Sequence, residues 1–86
     1  MDYIQLNKII DKLISSEKKV SDYKNENINV LKAIGWQFAL KYKHITDKES
    51  NEAKKYLTIL IEVRQLVKSK LSIEDKIVLR YLKQQV

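Results

Sequence analysis

The chain has no cysteine, no proline and a single glycine, Gly35. Without cysteine there is no disulfide framework, which argues against a small secreted scaffold and predicts a cytoplasmic protein. With one glycine there can be no glycine-rich phosphate loop. Long apolar runs are also missing. The longest candidate, Leu57-Thr58-Ile59-Leu60-Ile61, falls far short of the roughly 20 apolar residues that a bilayer crossing requires. The start, Met1-Asp2-Tyr3-Ile4-Gln5-Leu6-Asn7-Lys8, has no basic segment followed by an uninterrupted apolar stretch, so no signal peptide is expected.

Catalytic residue types are equally scarce. Nucleophilic or acid–base catalysis needs a positioned set of groups, whereas this chain has one histidine, His44, and serines that fall at helix ends and connections. The expectation is a protein that is not an enzyme. His44 and Asp47 supply two metal ligands where stable zinc binding needs three or four, so no metal, cofactor or small-molecule substrate is expected.

What remains is a balance of 44% hydrophobic and 33% charged residues over 86 positions, which predicts one globular domain spanning residues 1–86. A domain this short buries only about 60% of its unfolded surface, so nearly every apolar side chain must contribute to the core. The net charge is +6, shared evenly between residues 1–46 and 47–86 with no basic block or tail. Fifteen of the seventeen cations are lysine, whereas readers of bases and phosphates lean on arginine forks, which disfavours nucleic acid as the partner.

Hydrophobic periodicity divides the chain into four helices. Leu6, Ile9, Ile10, Leu13 and Ile14 form one stripe of a first helix over about residues 3–15. Residues 15–25 lose the pattern and are rich in turn formers, so they read as a connection. A second helix, about 26–44, carries Ile28, Leu31, Ile34, Gly35, Phe38 and Tyr42 on one face, with Val30, Ala33 and Leu40 widening it. Lys41, Lys43 and His44 close it where cations complement the helix dipole. Thr46-Asp47-Lys48-Glu49 matches a capping box and predicts a third helix over 47–70, apolar over much of its circumference and therefore central. Ser72-Ile73-Glu74-Asp75 is a second N-cap signature and opens a fourth helix, 73–85, with Ile77, Val78, Tyr81 and Leu82 inward. Four amphipathic helices with short connections predict an all-α, antiparallel up-and-down four-helix bundle.

Gly35 inside a helix costs about 1 kcal/mol relative to alanine, and close packing against a neighbouring helix is the preferred offset over a functional notch. Trp36 lies one residue off the main stripe. That position leaves open whether it walls the core or stands exposed as an anchor for a partner.

The segment Leu71-Ser72-Ile73-Glu74, together with the size, the four helices and the lysine-rich, cysteine-free composition, resembles the immunity proteins of pediocin-like bacteriocins, the enterocin A immunity family. The resemblance covers most of the chain. It implies a cytoplasmic four-helix bundle that protects the cell on the inner side of the membrane, with the mannose phosphotransferase permease carrying bound bacteriocin as its partner. It also implies that the C-terminal half selects the toxin. The exposed groups expected to meet an acidic cytosolic loop or lipid head groups are Lys68, Lys70, Arg80, Lys83, Gln84 and Gln85, with Trp36 as a candidate anchor. A solvated face whose cations serve helix ends is the competing reading of those charges. The alternative function is a small nucleic-acid-associated or regulatory helical module, because Leu71–Leu82 also resembles the first helix of a helix-turn-helix. A recognition helix would have to follow it. A third reading, a helix lying on anionic lipid, is weakened because all four apolar faces have a use inside the bundle.

Overall fold

The computed structural model describes residues 3–71, and the predicted fourth helix lies outside them. The described residues are helical, with no strand among them: α1 (Tyr3–Ile14), a 3-10 turn (Val20–Tyr23), α2 (Ile28–His44) and α3 (Asn51–Lys70). The all-helical expectation holds.

In α1 the buried residues are Leu6, Ile10 and Leu13, the centre of the predicted stripe, with Ile9 and Ile14 packed at its margin. The helix stops because Ser16 takes a left-handed conformation, φ 65°. A serine there is strained relative to glycine, and local bonds hold it. The Ser16 N–H donates to Leu13 O at 3.3 Å, and Lys55 from α3 reaches across to donate to Ile14 O and, at 3.0 Å, to Ser16 Oγ.

The connection that follows is not a passive linker. Val20 is buried in the core and Tyr23 is half-buried against it, within a 3-10 turn set by the Lys19 N–H donating to the Asp22 carboxylate at 2.8 Å. α2 then begins at Asn27, whose side chain accepts from the Asn29 N–H at 2.8 Å. Leu31, Ile34, Gly35 and Phe38 are its buried face, as the spacing required.

The start of α3 departs from the expected capping box. Thr46–Glu49 forms a turn in which the Glu49 N–H donates to Asp47 Oδ1 at 3.0 Å and the Ser50 hydroxyl donates to Asp47 O at 2.8 Å. The N-cap is Ser50, accepting from the Ala53 N–H at 3.1 Å. Ala53 is completely buried and begins the apolar stripe, so the cap belongs three residues before it rather than at Thr46.

α2 and α3 form the main contact. Glu26 meets Lys70, Gly35 faces Val63 and Phe38 meets Tyr56, so partner numbers on α3 fall as those on α2 rise. Phe38, Leu31, Ile34 and Val63 are the most completely buried large side chains, and each contributes about 1.5–3 kcal/mol by leaving water. The Phe38 and Tyr56 rings meet edge to face at 5.8 Å and 61°, a favoured aromatic geometry. α1 and the 3-10 turn complete this single hydrophobic cluster.

Candidate partner-binding groove

The third helix, apolar over much of its circumference, was expected to be central. Among the described residues its Leu57 and Ile61 are exposed, and so are Trp36 on α2 and Leu71 at the end of α3. Trp36 is 65% exposed, so the structure selects the outward position of the two that the sequence left open. It stands at the edge of a groove of about 320 Å³ lined by α2, α3 and Leu71, to which no residue of α1 contributes. Gly35, Leu60, Val63 and Val67 are among the residues of its apolar floor.

The rim is basic. Lys32 and Trp36 lie one turn apart on α2, Arg64 and Lys68 one turn apart on α3, and all four line the groove. An apolar floor inside a polar rim is the common anatomy of a protein interface, and a partly exposed tryptophan is its commonest anchor.

The predicted surface residues separate here. Trp36 and Lys68 come together on this groove. Lys70 does not join them: it is half-buried, and its ammonium donates to Glu26 O at 2.7 Å, tying the end of α3 to the chain entering α2. Arg80, Lys83, Gln84 and Gln85 lie outside the described residues. Sequence reasoning missed Lys32 and Arg64, although their i, i+4 spacing to Trp36 and Lys68 was a usable signal.

A larger cleft, about 730 Å³, opens beside the 3-10 turn and is lined by Lys18, Lys19, Lys55 and Glu62 among others. Its charges are mixed and Lys55 already serves Ile14 and Ser16, so it offers a weaker recognition surface. Near the other end of the α2–α3 pair, Lys48 sits over the Tyr42 ring at 4.1 Å. His44 and Asp47 gain no third ligand, since no group of three or more histidine or acidic side chains able to hold a metal occurs among the described residues.

Two tyrosines have raised pKa values. Burial pushes Tyr23 up, assisted by the negative charges of Asp22 and Glu26. Burial also raises Tyr56, whose hydroxyl donates to Glu52 Oε1 at 2.9 Å. Neither supplies a group poised near neutral pH. Among the described residues no helix is long and apolar enough to cross a membrane. Compared with protein-family models, curated proteins and solved structures, the chain finds no match.

Proposed function

We propose that this protein is a bacteriocin immunity protein, acting by stoichiometric binding rather than catalysis. It is an antiparallel up-and-down four-helix bundle whose fourth helix spans residues 73–85. It meets a pediocin-like bacteriocin complexed with the mannose phosphotransferase permease, from the cytoplasmic side of the membrane. The observation that carries this reading is the groove in which an exposed Trp36 and three cations surround an apolar floor. A protein with that surface is equipped to hold a partner, and Lys68 and Leu71 place one end of the groove in the C-terminal part of the chain, where the family resemblance puts toxin selection.

Expression in a sensitive lactic acid bacterium, followed by challenge with a panel of pediocin-like peptides, tests the assignment directly. Protection against at least one peptide is expected, and reversing the charge of Lys68 together with Lys83 should abolish it. Folded, expressed protein that protects against no peptide would overturn the assignment. Tight binding to nucleic acid that weakens steeply with salt would replace it with the regulatory-module reading.

A further inference from the structure

Leu57, Ile61, Arg64, Lys68 and Leu71 recur at i, i+4, i+7, i+11 and i+14, and all five are exposed. That alternation of four and three is the spacing by which one helix receives another along its length. The stripe runs for roughly 21 Å at about 1.5 Å per residue, the length of about four helical turns. Lys32, Trp36 and Ala39 repeat the spacing on α2 and line the facing wall of the groove. Leu57 and Ile61 lie just beyond the groove lining and prolong its apolar edge.

On the antiparallel register set by the Gly35–Val63 and Phe38–Tyr56 contacts, Ala39 is level with Leu57, Trp36 with Ile61 and Lys32 with Arg64. The two ends of the trough therefore differ. One is apolar, and at the other Lys32 and Arg64 stand on opposite walls with Lys68 one turn further along. None of these three cations has an acidic residue three or four positions away in the sequence, and no residue lining the groove is acidic. Their charge is not offset within their own helices.

This combination discriminates among occupants. A second copy related by a twofold axis would bring the cations of one chain against those of the other, each chain already carrying a net charge of +6. A lipid surface is met by the projecting apolar face of a helix, whereas here the apolar floor is sunk between two helices. A helix with acids flanking an apolar stripe satisfies both the spacing and the charge.

We propose that the α2–α3 groove, prolonged by Leu57 and Ile61, receives one acidic amphipathic helix of a protein partner. Its apolar stripe packs over Trp36 and Ile61, and its carboxylates meet Lys32, Arg64 and Lys68. This deepens the partner-binding reading of the groove and rests on it, but it does not depend on immunity.

Trp36 is the only tryptophan, so its fluorescence in the full chain reports on the groove. The probe is a stapled synthetic helix of about four turns, with leucines at the same alternating spacing and glutamates flanking them. Titration should give a saturable blue shift. The same helix with lysine in place of glutamate should bind about tenfold more weakly, and Lys32→Glu combined with Arg64→Glu, both surface changes, should invert that order. No shift with the glutamate helix, equal affinity for both helices, or an order unchanged in the double variant would each overturn the proposal. So would an equal shift with phosphatidylglycerol vesicles, which would make lipid the occupant. Trp36 already shielded from acrylamide in the free chain would also overturn it, with a second copy as the occupant if dilution removes the shielding and the chain itself if it does not. Protection in the sensitive strain without binding of the glutamate helix would sink this inference alone, whereas binding without protection would sink immunity alone.

Discussion

The two sides of the α2–α3 pair are built from the same helices and end differently. One side meets α1 and the 3-10 turn, and there Ile34 and Phe38 are excluded from water to within about 1%. The other keeps Leu71 at 42% and Trp36 at 65% exposure above an apolar floor. The difference lies in the borders. The closed side meets further aliphatic residues, whereas the open side is fringed by Lys32, Arg64 and Lys68, which hold a groove soluble until something fills it.

The strongest challenge to this contrast is truncation on each side. Phe38→Ala should cost about 3–5 kcal/mol in a denaturant titration, while Leu71→Ala should stay within about 0.5 kcal/mol. Equal losses would mean that the two sides are not energetically distinct. Leu60 is 5% exposed and borders both the core and the groove, so Leu60→Ala should fall at about 2–5 kcal/mol. A smaller effect concerns where α3 begins. Ser50→Ala should lose about 1 kcal/mol and Thr46→Ala much less, because only Ser50 accepts from the first turn.

Gly35→Ala probes the groove floor. The added methyl would meet Val63 Cγ1 at 3.4 Å, an ordinary contact, so the gain in helix propensity, up to about 1 kcal/mol, should appear as a higher midpoint of unfolding. A loss would show that the two helices pack too tightly for a methyl group. The smallest expected effect is alkaline. Tyr23 and Tyr56 both have raised pKa values when folded, so their contribution is complete below the ordinary tyrosine range. It fades as the pH rises through their folded values, because the unfolded chain ionises first. Tyr56→Phe should flatten that alkaline decline in thermal melts, and an unchanged slope would assign it to other groups.

Much of this was legible in the residues. The stripes of α1 and α2 identified Leu6, Ile10, Leu13, Leu31, Ile34 and Phe38 as core, because helical period and burial are the same information. The start of α3 was misplaced because Thr46–Glu49 and Ser50–Ala53 compete as caps. The deciding fact, where burial begins, is tertiary. Val20 was missed because a lone valine among polar residues has no period, and its burial depends on the turn reaching α3. For the groove, Trp36 and Lys68 were on the candidate surface, but their meeting across two helices depends on a packing register that no local pattern encodes.

The two lysine contacts from α3 act on one segment. Lys55 holds the chain where it leaves α1, and Lys70 holds it where it enters α2, so residues 15–27 form a strap fastened at both buckles. Acylating the lysine amines would unfasten the strap as well as lower the surface charge. Faster chymotryptic cleavage after Tyr23 would then report the released segment, and a loss of binding after such treatment would have two causes rather than one.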